Sequence, residues 1–267
     1  MKNWLQTYLE FARVGFVNIL AYRLRYYTGV ITYFINVTVY YFIWRAIFTN
    51  SDHIEGFNLK QMTTYVALGW IIRSFYFSTI DQDMANDVME GKISMTLIKP
   101  IHVQWSLVAQ SLGESCFRLF MLTAPAAVVI ALVFPMSGPS SALHFAGFFA
   151  STVLSFFIVA SINFIAGTCA IRLKSILGLL RAKYFLLELF SGLLIPMTFF
   201  PQSIQKVMNY LPFQHISFTP VLIYLGKIQG PKIWEELGIQ LLWAVAIFLI
   251  GQWWWATSIR KLSIQGG

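Results

Sequence analysis

Six apolar stretches, each near the ~20 residues a helix needs to cross a bilayer core, run through this 267-residue chain. A soluble domain has no use for six such runs. Composition agrees: 57% of residues are hydrophobic and 11% charged, against about 45–50% and 25% in ordinary soluble domains. The pattern predicts an all-α membrane protein with no room for a separate soluble catalytic domain. We read one transmembrane domain over 1–267, made of an interfacial helix (1–26), a six-span core (27–259) and a cytoplasmic tail (260–267).

The expected spans are Tyr27 to Phe48, Met62 to Ile80, Ser106 to Val133, Leu143 to Ile171, Tyr184 to Phe200 and Trp234 to Ile259. Pro125 falls inside the third, where neighbouring helices can satisfy the freed carbonyl. Residues 1–26 mix Trp4, Leu5, Tyr8, Phe11 and Val14 with Lys2, Arg13, Arg23 and Arg25. That mixture predicts an amphipathic helix lying in the headgroup region. Between Pro201 and Lys232 the apolar run is broken by Pro201, Pro212, Pro220, Gly226, Gly230 and Pro231. Short helices or a re-entrant hairpin suit it better than a span.

The net charge of +8 is spread over span ends rather than gathered on one face, which excludes a nucleic-acid footprint. With the N-terminus inside, the inner segments hold Lys2, Arg13, Arg23, Arg25, Lys92, Lys99, Arg172, Lys174, Arg181, Lys183, Arg260 and Lys261, twelve in all. The outer segments hold five: Arg45, Lys60, Lys206, Lys227 and Lys232. Basic residues favour the cytoplasm, so both termini are expected there, with Trp253, Trp254 and Trp255 in an aromatic belt at that face.

No GxxxxGK[ST], HExxH or CxxC is present, and the chain is not expected to be an enzyme or to hold a metal. Cys116 and Cys169 lie within spans and are expected to stay unpaired. His53, His102, His144 and His215 lie in or near different loops and are read as interfacial. Charges inside spans are costly and invite a functional hypothesis. Arg73, Glu114, Arg118 and Glu188 are the candidates, with Glu114 and Arg118 on one helix face at i, i+4. They would serve a relay in a carrier, or a structural pair near the interface. Tyr33, Tyr40, Tyr41, Trp70, Phe75, Phe199 and Phe200 are aromatic candidates for a substrate path, where cation–π contact would suit an organic cation. The charged segment Asp81 to Val103 predicts a short acidic helix (Asp81, Asp83, Asp87, Glu90), capped by a left-handed Gly91, then an apolar turn over Ile93 to Ile98 ended by Pro100. Such an element presents acid groups and an apolar knob to a partner's groove.

The stretch EGKISMTLIKP, Glu90 to Pro100, resembles the cytoplasmic loop of ABC-2 type permeases, the membrane subunits of ATP-binding cassette exporters. The order of small residues, prolines and amphipathic runs from Ser191 to Lys227 is similar to the segment preceding that family's last span. Six spans and an amphipathic N-terminus agree. Within the family the chain looks closest to a bacterial two-permease branch linked to export of viologen-like cations. The resemblance implies a type V exporter-like fold, with an extracellular helical hairpin before the last span, in the bacterial inner membrane. It implies two permease subunits, identical or homologous with a heterodimer favoured, above two copies of an ABC ATPase subunit that binds ATP and Mg. The helix around Asp87 to Pro100 would be the coupling helix, with Glu90, Gly91, Lys92, Ile93, Leu97 and Lys99 at the ATPase. Trp4 to Leu20 would be the connecting helix. Pro201 to Gly230 would form the extracellular gate, with Pro196, Pro201, Pro212, Phe213, Pro220 and Gly226 shaping it. The alternative is a standalone secondary transporter or channel using the intramembrane charges.

Overall fold

The computed structural model describes residues 4–21, 23–173 and 176–260. Lys2, Lys174, Lys261 and the tail 261–267 lie outside the described residues, as do the side chains of Arg23 and Arg25. The chain is helical throughout: α1 (Trp4–Ala21), α2 (Arg23–Ile47), α3 (Leu59–Tyr76), α4 (Ile80–Met89), α5 (Ile93–Leu97), α6 (Val103–Arg118), α7 (Ala124–Val133), α8 (Ala142–Thr168), α9 (Leu177–Phe190), α10 (Gln202–Met208), α11 (Phe218–Tyr224) and α12 (Pro231–Ile259). Among the described residues the one extended pairing is an isolated bridge between Ile54 and Phe57.

Among the described residues four helical stretches are long and apolar enough to cross a membrane: Thr28–Asn50, Val103–Val133, Ala142–Ile171 and Pro231–Ile259. They match the first, third, fourth and sixth expected spans within a few residues. The third is continuous through a π-turn, Leu119–Thr123, that joins α6 to α7. The turn immediately precedes Pro125, which has no N–H to give and crowds the carbonyl four residues back; widening the helix relieves both.

The second and fifth stretches differ from expectation. α3 has 18 residues but ends at Tyr76, and Phe77 to Thr79 break the helix before α4 begins at Ile80. Arg73 is therefore in the last turn of α3 rather than mid-span. α9 starts seven residues earlier than the expected Tyr184 and stops at Phe190, because Gly192 turns the chain with φ +79°. The chain then makes the short 3-10 turn Met197–Phe199, the seven-residue helices α10 and α11, and a second 3-10 turn, Phe213–His215, between them.

α8 is the hub of the bundle, with α3, α4, α11 and α12 packed around it. Its inner face is built of small and polar residues, Gly147, Ser151, Ser155 and Gly167 among them, all buried. Small residues let helices approach closely in a membrane, where apolar burial gives no net drive to pack. The polar ones are satisfied across the interface. Gln240 of α12, fully buried, gives its amide to the Ser151 carbonyl at 2.8 Å and the His215 carbonyl at 2.8 Å, while Ser151 Oγ donates to its Oε1 at 2.7 Å. The outward faces of α2, α7 and α12 carry exposed Ile, Val, Leu, Phe and Trp, the complement of a lipid environment.

α1 does not stand apart on the surface. It lies along α6, with Trp4 edge-on to Trp105 at 6.4 Å and Phe16 edge-on to Phe117 at 5.1 Å. The two backbones meet at glycines. A Cβ on Gly15 would sit 2.0 Å from the Gln110 carbonyl oxygen, and one on Gly113 would sit 1.8 Å from that of Ala12. The other side of α1, with Leu5, Leu9 and the Glu10–Arg13 ion pair, is exposed.

Candidate functional site

The charged turn is built from α4, Gly91, α5 and Pro100. Gly91 has φ +73°, the left-handed conformation expected of it, and ends α4 by donating its N–H to the Val88 carbonyl at 3.2 Å. Glu90 and Lys92 pair across it on the surface, and this pairing raises the Lys92 ammonium pKa above its ordinary value. The apolar knob is composed differently from expectation. Ile93 is buried beneath the turn and Leu97 half-buried, while Met89, Met95 and Ile98 are 60%, 66% and 83% exposed. Asp87 is half-buried; Glu90, Lys92, Lys99 and Pro100 are exposed. A five-residue helix has room to turn only one side inward, and Ile93 takes it. Three exposed flexible apolar side chains ringed by charges form a surface suited to a partner's groove.

Behind the turn α4 is clamped. Asp81, expected on an exposed acidic side, is fully buried and forms an ion pair with Lys183 of α9. Tyr184 donates its hydroxyl to the other carboxylate oxygen at 3.0 Å. Lys183 also donates to Asn163 of α8, whose amide reaches Ser78 Oγ at 2.9 Å. A buried charge pair holds only when its remaining hydrogen bonds are satisfied, and here they are. Against α8 the approach is close: a Cβ on Gly167 would lie 2.9 Å from Met84 Cβ and 3.0 Å from Asp81 Cα. Asn163 is eight residues before Ile171, where that candidate span ends, which places the clamp about 12 Å along the helix from its end.

The break between α3 and α4 is thus inside the bundle, and Arg118 fills it. Its guanidinium donates to the Ser74 carbonyl at 3.2 Å, to the Phe77 carbonyl, and to Ser115 Oγ at 2.9 Å. A helix C-terminus leaves carbonyls without intrahelical partners and carries partial negative charge, and a cation answers both needs. Glu114 lies 3.8 Å from Arg118, the expected pair, but the closer partners are backbone. Arg73 pairs with Glu188 of α9 through Nε at 2.8 Å and through Nη2. The four charges expected within spans form two ion pairs, Arg73 with Glu188 and Arg118 with Glu114.

Beside the break is a cavity of about 360 Å³. α2 contributes Thr28, Gly29, Val30, Thr32 and Tyr33; α3 and the break contribute Trp70, Arg73, Ser74 and Phe77; Arg118, Thr123 and Ala126 close the far wall. Of the seven aromatic candidates, Tyr33 and Trp70 reach it. Phe75 packs on Phe156, Tyr41 on Phe134 and Phe199 on Trp44. Tyr40 joins the core edge and Phe200 is half-buried.

In the 191–230 segment, Pro196 and Pro201 open the turn at Met197 and the helix α10, and Pro212 precedes the Phe213–His215 turn. Phe213 stacks obliquely on Phe190 at 6.3 Å. Pro220 is buried in α11. Gly226 has φ +68°, and a Cβ there would meet Ser140 Oγ at 2.2 Å. His215 is buried rather than interfacial. Its Nδ1 is 3.2 Å from the Thr219 hydroxyl and 3.5 Å from the Glu236 carboxylate. Burial outweighs that partly exposed carboxylate and holds the ring neutral, with its pKa lowered to about 4. Lys227 donates to the Gly56 carbonyl, and burial lowers its ammonium pKa. Cys116 and Cys169 are unpaired.

Long apolar helices packed around a small-residue hub are those of a multi-pass membrane protein. The family model of the ABC-2 family transporter proteins matches residues 34–266, and the chain belongs to that family. No curated protein matches the chain.

Proposed function

We propose that the chain is the membrane-spanning subunit of an ATP-driven exporter, forms half of the translocation path and couples to a separate ATPase subunit. The observation that carries this reading is the turn from Met89 to Pro100. It projects Met95 and Ile98 outward while the helix that bears it is held to α8 and α9 by Asp81, Lys183 and Asn163. An exposed apolar surface on a rigid mount is what a partner needs in order to push. In this reading the turn is cytoplasmic and sits in an ATPase cleft, the partner holding ATP and Mg. α1, joined to α6 at Gly15 and Gly113, moves with the helix that follows the turn.

The finer reading has six spans, with α3 plus α4 and α9 as the two that fall short alone, and both termini in the cytoplasm of a bacterial inner membrane. The segment from Pro201 to Gly230 forms the outer gate and re-entrant hairpin. A second permease, homologous rather than identical, covers the other half of the path. Membership in the two-permease branch, with organic cations as cargo, rests on resemblance. The alternative of a standalone carrier draws on Arg73, Glu114, Arg118 and Glu188, and their closure into two local sets favours packing over a relay.

A gentle-detergent pull-down of the tagged chain, with mass spectrometry of what co-purifies, tests the proposal. A stoichiometric ATPase supports it and shows whether a second permease is present. A chain that stays alone after crosslinking in the membrane refutes it. Charge reversal at Glu90 combined with Gly91→Val should uncouple ATP hydrolysis from transport in an inserted protein.

A further inference from the structure

The cavity at the α3–α4 break points to a ligand of definite charge. Irregular backbone within a membrane protein is tolerated where it is buried in protein or lines a cavity. Both irregular features of these spans, the break at Phe77 and the π-turn that contains Thr123, border this one space. Two guanidiniums, from Arg73 and Arg118, also line it, and no carboxylate does. Glu188 takes Nε and Nη2 of Arg73, and Nη1 has no partner among the described residues.

The aromatic faces are already engaged. The Arg73 guanidinium is 5.2 Å from the Trp70 ring and 5.6 Å from that of Phe77, and Arg118 is 5.7 Å from Phe77. An organic cation entering here would find the rings occupied by two guanidiniums, paired with Glu188 and Glu114, and would have to displace them. An acceptor-rich anion meets the remaining Arg73 donor, a charge-assisted one, instead. The apolar remainder of the wall, Val30, Leu122 and Ala126, suits the first carbons of a chain. About 360 Å³ is at the small end of ligand pockets, so a head group fits and the rest of an amphiphile extends outside. Gly29 of α2 is an exposed part of the wall, and an added Cβ there would meet nothing within 4 Å among the described residues.

We propose that this cavity binds the phosphate or carboxylate head of an anionic amphiphile, entering beside Gly29. The proposal stands independently of the ATPase reading, because its test uses the chain alone.

The test is thermal unfolding of the full chain in a neutral detergent, titrated with dodecyl phosphate, dodecanoate, inorganic phosphate and dodecyltrimethylammonium. Saturable stabilisation by dodecyl phosphate or dodecanoate, with none from the cationic amphiphile, is the expected result. Stabilisation by inorganic phosphate at similar concentration keeps the anion in the cavity and assigns a soluble source rather than a lipid-like one. Gly29→Leu fills the entrance without touching either arginine. The double variant Arg73→Gln, Glu188→Gln removes the guanidinium donor together with its carboxylate, leaving the net charge unchanged and the pair able to hydrogen-bond. Each should weaken dodecyl phosphate binding by at least about tenfold, the scale of one charge-assisted contact. Equal stabilisation by the cationic amphiphile, or unchanged affinity in Gly29→Leu, overturns the proposal.

Discussion

Replacing Gly113 by alanine is a small change with a calculable effect. The new Cβ would sit 1.8 Å from the Ala12 carbonyl oxygen and 2.6 Å from its carbon, where ordinary contact begins at 3.4 Å. The backbones of α1 and α6 must therefore part by about 1.6 Å, and neither obstacle is a side chain that can rotate away. Overpacking of this kind costs about 1–3 kcal/mol. Intrinsic propensity acts in the opposite direction, since alanine is better than glycine in a helix by about 1 kcal/mol. Gly238 of α12 separates the two effects, because a Cβ there meets nothing within 4 Å. Thermal unfolding of the purified chain should show Gly238→Ala at or above wild type and Gly113→Ala clearly below it, with Gly15→Ala similar. Under the proposed coupling to an ATPase subunit, Gly113→Ala should also lower transport per ATP hydrolysed. Equal melting of Gly113→Ala and Gly238→Ala would refute the close docking of α1 on α6.

Other predictions follow from the clamp, the turn and the buried histidine. Lys183→Met leaves the Asp81 carboxylate buried without its cation and should cost about 3–5 kcal/mol; adding Asp81→Asn should recover most of it, as read by chemical denaturation of the two variants. Gly91→Val forces a branched side chain into φ +73°, a local strain of about 1–2 kcal/mol, so the melting temperature should fall by a few degrees and, under the proposed coupling, co-purification of an ATPase should fall with it. His215 is neutral when folded, with a pKa of about 4 against an ordinary 6.5. The unfolded chain then binds the extra proton, so this contribution to stability is complete above pH 6.5 and is lost as pH falls towards 4. The loss reaches about 3 kcal/mol at most, and His215→Gln should flatten the difference in denaturation midpoints between pH 7 and 5.

The long apolar helices were legible because length and composition decide them: α2, α6 with α7, α8 and α12 fall within a few residues of expectation. Gly91 was legible because a glycine after an acidic run has one common use. Glu114 and Arg118 were legible because they are neighbours on one helix. The partners of Asp81 and Arg73 were not, since Lys183 and Glu188 are more than a hundred residues away and no local pattern selects them. The break at Phe77 left a signal that was available: Ser78 and Thr79 followed by Asp81 and Asp83 have the composition of a helix start. The apolar run from Met62 to Ile80 concealed it. Ile93 and Ile98 look equivalent in a list of apolar residues, and only the fold beneath the turn distinguishes the buried one from the exposed one.

α3 is surrounded by its neighbours, with Thr63, Thr64, Tyr65 and Gly69 all buried, and it is not among the helices apolar enough to cross a membrane by themselves. In the six-span reading proposed above, its residence in the bilayer is therefore a property of the assembled bundle. During synthesis α3 emerges long before Ser137, Glu188 and Gly192, which take up Thr64, Arg73 and Tyr65, so its final placement must wait for these later segments to arrive. A chain truncated after Pro100 would retain α2 in the membrane and lose α3 to the aqueous side.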